Sequence, residues 1–181
     1  MSSSSYIHHI LLPLLILFLF SHKASSDQQT QDLINQICNQ MAPETEFCRQ
    51  TLTDNLPSPS TDIYGLAKIT IQQTFYNAGK TGESISNLLA RETDQAVKNA
   101  LIACQNAYSI IQQSFLQATV EFEEHNYKVI PDVVDGTGRA LDSCLTSFDV
   151  PPHPKNPLVQ QNKEMRTLLA MANVCGHVFY K

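Results

Sequence analysis

Residues 97–122 read VKNALIACQNAYSIIQQSFLQATVEF, and the spacing inside this stretch decides the fold class. Val97, Leu101, Cys104, Tyr108, Ile111, Phe115, Ala118 and Phe122 follow one another at intervals of three and four. Because an α-helix turns once in about 3.6 residues, that spacing gathers them on one apolar stripe. A half-buried strand would alternate at period two, and no segment of the chain does so convincingly.

Three further segments repeat the pattern. Ala67, Ile71, Phe75, Ala78, Ile85 and Leu89 form one stripe, and it keeps phase across Gly79 and Gly82, which predicts one long helix rather than two. Ile130, Val133 or Val134, Thr137, Leu141, Cys144 and Phe148 form another, with Pro131 tolerable only in its first turn. Met165, Leu168, Leu169, Ala172, Cys175 and Phe179 form the last, after a loop punctuated by Pro151, Pro152, Pro154 and Pro157. Upstream, Gln28–Asn39 reads as a short amphipathic helix. A second short helix starts at Pro43, carries acidic residues in its first turn and runs to about Thr53. Pro57-Ser58-Pro59-Ser60 then breaks the chain, and Thr61-Asp62 supplies an N-cap. The expected fold is all-α: an up-down-up-down four-helix bundle preceded by an N-terminal helical hairpin.

Ile10–Phe20 (ILLPLLILFLF) is apolar but shorter than the ~20 residues a membrane span needs. Small residues at Ala24–Ser26 follow, so 1–26 reads as a removable signal peptide and 27–181 as one helical domain, with an uncleaved anchor the weaker alternative. The leader holds Lys23 and no acid. With it removed, the balance of 12 basic and 17 acidic residues shifts from −5 to −6. That argues against nucleic acid and against an anionic membrane surface as partners. No Asn-x-Ser/Thr triplet is present. A secretory route also places the cysteines where disulfides persist.

Five cysteines leave one over. Proximity favours Cys38–Cys48, since a short hairpin brings its arms together. Cys104 and Cys144 occupy stripes of successive antiparallel helices at similar distances from a turn near His125–Asn126, which favours pairing them. A loop of that length should stabilise by roughly 3–4 kcal/mol in the chain-entropy model. Cys175 is then a free thiol packed as a small hydrophobe.

The Cys38…Cys48 hairpin, Thr61-Asp62-Ile63-Tyr64-Gly65-Leu66-Ala67, Ala100-Leu101-Ile102-Ala103-Cys104-Gln105-Asn106-Ala107-Tyr108 and Ala140-Leu141-Asp142-Ser143-Cys144 occur in that order. Together they resemble the plant invertase and pectin methylesterase inhibitor family, over essentially the whole chain after the leader. The resemblance implies disulfides within the hairpin and between the second and third bundle helices. It also implies a protein partner, an acid invertase of cell wall or vacuole or else a pectin methylesterase, blocked in a one-to-one complex. Invertase inhibitors of the family carry Pro-Lys-Phe before the third bundle helix. Counted back from Cys144, the corresponding place holds Tyr127-Lys128-Val129: the lysine matches, the proline and phenylalanine do not. The plainer reading of Lys128 is a solvated residue at a helix start. Pectin methylesterase inhibitors lay a bundle face across the target's cleft instead. A third reading, from another class, is a non-inhibitory secreted bundle of structural or allergen type.

Enzyme readings are weaker. Glu121, Glu123 and Glu124 cluster at a helix end, where such runs are usually solvated. Metal sites in bundles use Glu-x-x-His turns, and the residues three before His125, His153 and His177 are Phe122, Val150 and Val174. Cys175-Gly176-His177 is a single local pair without further ligands. We expect no catalytic residues, metal or cofactor.

Overall fold

The computed structural model describes residues 27–179. The leader expected over 1–26 lies outside the described residues. Among the described residues there are six α-helices: α1 over 27–38, α2 at Thr45–Asp54, α3 at Ile63–Leu89, α4 at Gln95–Glu123, α5 at Ile130–Thr146 and α6 at Val159–Val178. A short 3-10 turn, Tyr127–Val129, precedes α5.

Local chemistry sets the boundaries. The first helical bond of α2 runs from Cys48 N to Glu44 O (3.1 Å), so Glu44 is its N-cap. The helix therefore starts two residues later than Pro43, which stays in the preceding turn. Asp62 caps α3 from an extended backbone, its Oδ1 accepting from Gly65 N at 2.9 Å. A Cβ at Gly65 would press on the Thr61 Cγ2 methyl, so a larger residue at this entry into α3 requires that methyl to move aside. α3 then runs unbroken through Gly79 and Gly82. Asp94 caps α4 by accepting from Ala96 N and Val97 N. Pro131 falls in the first turn of α5, where a missing N–H costs nothing.

Helices α3 and α5 each pack against both α4 and α6, which closes the four into an antiparallel square. The stripes meet inside it: Leu101, Cys104, Tyr108, Ile111, Phe115 and Ala118 are buried, as are Ile71, Ala78, Ile85, Leu141, Met165, Leu168 and Ala172. Phe148 is buried too, although α5 has already ended. Cys38–Cys48 ties α1 to α2 with Cα atoms 5.5 Å apart, and Cys104–Cys144 ties α4 to α5 at 4.3 Å. Thr30 fastens the hairpin to the bundle. Its hydroxyl donates to Thr61 O and accepts from Thr61 N, both at 2.8 Å. Ion pairs such as Lys163–Glu44 and Arg166–Asp142 lie at the partly exposed rim, where each contributes about 1 kcal/mol at most.

A polar pair sits in the interior alongside buried threonines such as Thr70, Thr74 and Thr137. Tyr108 donates its hydroxyl proton to Asn162 Oδ1 at 2.9 Å, with both residues buried. Burial, and then the charge of Glu164, hold the Tyr108 hydroxyl well above its ordinary titration range. Asn162 Nδ2 is buried without a partner among the described residues. Cys175 is the free thiol and is buried, and burial pushes its titration up from 9.0 to about 12.

Two outcomes follow from this interior. Tyr108→Phe should lose about 1–3 kcal/mol, because it strands Asn162 Oδ1, and Tyr108→Phe/Asn162→Leu should recover much of that by removing both polar partners. Urea midpoints at unchanged slope measure both. A thiol that keeps its proton in the folded state favours folding below pH 9.0, and that contribution fades as pH rises toward about 12. Below pH 9.0, Cys175 should ignore a soluble disulfide reagent in native protein and react once urea unfolds it.

Candidate functional site

The end of α4 builds the site. Asn126 N donates to Glu121 O (2.9 Å) and His125 N to Phe122 O (3.1 Å), the paired bonds that close a helix through a left-handed residue. That residue is His125, at φ 64, where glycine is the usual occupant. The Gln117 and Asn126 side-chain amides both donate to the Glu121 carboxylate, at 2.8 and 2.7 Å, and hold it below its ordinary range. The chain reverses there and enters the 3-10 turn.

Tyr127 fixes that turn to the body. Its ring lies edge-on to Phe122 at 4.9 Å, stacks on Phe179 at 4.8 Å, tilts against Tyr64 at 5.4 Å and stacks on His125 at 5.9 Å. Rings from the start of α3, the end of α4 and the residue after α6 thus converge on one turn. Aromatic pairs at such separations contribute about 0.5–1.5 kcal/mol each beyond the area they bury. Lys68 on α3 pairs with Glu123 on α4 at the same end. Of the three residues in the turn, Tyr127 and Val129 are half-buried against the core and Lys128 is exposed. The tripeptide read from the sequence is therefore two anchors flanking one displayed cation.

A second surface runs along α4. Residues 99–120 contain no charged residue and no histidine. Ile102, Ile110, Leu116 and Val120 stand about half exposed on the outward side, beside exposed Asn106, Gln113 and Gln117. The three-and-four spacing of apolar residues marks the inward stripe of this helix and not its outward face. A missing charge over so many positions was the available signal. The aromatic cluster and the left-handed His125 had no comparable signal, since both depend on the folded geometry.

Among the described residues, groups that could perform chemistry are not brought together. Glu121 is held by two amides and Glu123 by Lys68, so two of the three acids in the cluster are engaged in structural contacts. Cys175 is buried while His177 is exposed. A cleft of about 440 Å³ between the hairpin and α6 is lined largely by Leu33, Ile37, Ile63 and Val174, without a nucleophile and base in contact. Among the described residues no three His, Cys, Asp or Glu side chains gather into a metal-binding group, and no helix is long and apolar enough to cross a membrane.

The strained terminus of α4 gives a direct check. His125→Gly should be tolerated, whereas His125→Val should cost about 1–2 kcal/mol more, since a β-branched residue resists the left-handed region. Thermal unfolding of the pair measures the difference.

The arrangement has known counterparts. The model of the family described as Plant invertase/pectin methylesterase inhibitor matches residues 32–175. A "Pectinesterase inhibitor" from Actinidia deliciosa is 26% identical over 179 residues, covering 97% of this chain and 94% of its own. A protein from Platanus orientalis named "Putative invertase inhibitor" is 24% identical over 149 residues, covering 78% and 86%. The crystal structure of a mutant form of a pectin methylesterase inhibitor from Arabidopsis superposes with a TM-score of 0.68 at 19% identity, over 80% of this chain and 95% of that one. Its helical bundle is the same fold. With the family model spanning both disulfides and nearly the whole described bundle, the chain belongs to the plant invertase/pectin methylesterase inhibitor family, whose members inhibit enzymes and are not enzymes themselves.

Proposed function

We propose that this chain is a secreted inhibitor that blocks an acid invertase in a one-to-one complex, in the apoplast or alternatively the vacuole. The observation that carries this reading is the display of Lys128, exposed on a turn whose two neighbours are packed against the core. Glycosidases of the common kind hold two carboxylates across the scissile bond. An ammonium presented between them is attracted in a partly dehydrated cleft and occupies the space the sugar needs. The chain carries more acids than bases, and Glu121, Glu123 and Glu124 stand at this same end, so the attraction belongs to the lysine itself and not to the surface around it. Because Tyr127 and Val129 already anchor the turn, little ordering cost remains for association. Tyr127, Lys128 and Val129 are the proposed contact element, with the lysine in the cleft.

A second reading is favoured by the α4 face. A broad uncharged strip bearing Ile102, Ile110, Leu116 and Val120 suits docking of the bundle side across a cleft, the mode expected for a pectin methylesterase. The similarity to the Actinidia deliciosa pectinesterase inhibitor along almost all of both chains supports this alternative.

Titrating mature protein against an acid invertase and a pectin methylesterase at mildly acidic pH separates the readings. In the first, Lys128→Ala should weaken invertase inhibition by roughly thirty-fold or more, the cost of about 2 kcal/mol or above for stranding a buried partner charge. In the second, Ile110→Glu or Leu116→Glu should abolish esterase inhibition while Lys128→Ala leaves it intact. Inhibition of neither enzyme would favour a non-inhibitory bundle.

A further inference from the structure

Helix α4 carries two seams. The inward one, Leu101 to Phe122, steps by three and four and is buried in the bundle. An outward one, made of Ile102, Asn106, Ser109, Gln113, Leu116 and Val120, steps by four and three as well. Each of its members lies five residues after one of the inward stripe, about 140° round the helix. All six are exposed. A solvated face has no need of such a repeat. Between two helices it keeps a single line of side chains in contact over its whole length, as in a left-handed coiled coil.

The order of residues along the outward seam matches its own reverse. Apolar side chains stand at both ends, and Asn106, Ser109 and Gln113 lie between them. A two-fold contact needs that self-complementarity. With Ile102 level with Val120 of a second, antiparallel copy, Ser109 falls level with Gln113 and Asn106 with Leu116. Ile110, beside the seam, then comes close to its own counterpart at the axis. Sliding by one heptad would set Ile102 against Gln113 or Val120 against Ser109, so the polar centre selects the register. Charge selects the direction. Parallel packing would set the Glu121, Glu123 and Glu124 runs of the two copies side by side. Antiparallel packing brings each run level with the first turn of the other α4, where Lys98 stands, and opposes the two helix dipoles.

We propose that this face is a self-association surface, through which two copies of the chain join α4 to α4, antiparallel, about a two-fold axis level with residue 111. No charge is buried between them, because residues 99–120 carry none. A contact one helix wide and about 27 Å long falls below the ~800 Å² per partner of standard interfaces, so the pair is a transient dimer of micromolar affinity or weaker. The Tyr127–Val129 turn follows the end of α4, so the two turns stand at opposite ends of the pair, each open to an invertase. The face on which the esterase reading depends is covered. Self-association therefore opposes docking on an esterase and spares docking on an invertase.

Sedimentation of the oxidised mature protein from about 1 µM to about 1 mM, with no target enzyme present, tests this directly. The mean mass should climb from one chain toward two. Ile110→Glu sets two carboxylates close together at the axis and should weaken the dimer at least about ten-fold. The nearly isosteric Gln113→Glu should weaken it too, with helicity unchanged in both. Crosslinking under mild oxidation reads the register. Ile110→Cys should join to itself, and Ile102→Cys should join to Val120→Cys in a mixture but not to itself. A single-chain mass at every concentration would overturn the proposal, as would a dimer indifferent to both charged variants. Self-joining of Ile102→Cys would overturn the antiparallel register. Because mass is measured without an enzyme, none of these outcomes bears on which enzyme is inhibited.

Discussion

Cys104 and Cys144 face each other on α4 and α5 with Cα atoms 4.3 Å apart, inside a square of helices whose axes normally stand about 8–10 Å from one another. A bridge that short lets neither helix slide by a turn. It sets their relative height, and so sets how far the chain between them must travel. Leu101, Ile111, Phe115 and Leu141 fill the layers above and below, so apolar packing and covalent link agree on one register. The left-handed His125 and the 3-10 turn carry the chain across that gap, with Lys128 in the turn.

Rigidity at one end of the bundle comes from a different source. There the helices finish, hydrogen bonds run out, and four rings supply the contacts instead: Tyr64, Phe122, Tyr127 and Phe179. Polar capping satisfies the last turn of α4 while the rings hold the departing strand of chain. Such an end is suited to recognition. It shows solvent a cation, amides and carboxylates on a frame that does not need to reorganise. The long uncharged face of α4 is the other surface with that property, since a helix crosslinked to its neighbour moves little on docking.

Much of this was readable in the residues, and the reasons are specific. Helical stripes are local, so Val97 to Phe122 announced their helix, and the two stripe cysteines announced their partnership by height. Gly79 and Gly82 did not break α3, because packing on α4 and α6 outweighs a propensity cost of about 1 kcal/mol each. Pro43 misled by two residues, since the first helical bond begins at Glu44. Tyr127 reads from the sequence as one of three contact residues, and only the fold shows its ring packed against Phe122 and Phe179. Tyr64, Phe122 and Phe179 are far apart in sequence, and periodicity says nothing of which helix ends meet. The Tyr108–Asn162 hydrogen bond was hidden likewise, because Asn162 sits on a helix whose stripe was read from its apolar members alone.

We propose that the oxidised bundle holds its contact elements in place before the partner arrives. Comparing inhibition by the native protein with that by Cys104→Ala/Cys144→Ala, at a temperature where both retain full helicity, tests it most directly. Weakening by about ten-fold or more is predicted, the cost of ordering a loosened turn on association. Equal inhibition by the two proteins would contradict the account, since the crosslink would then contribute to folding and nothing to recognition.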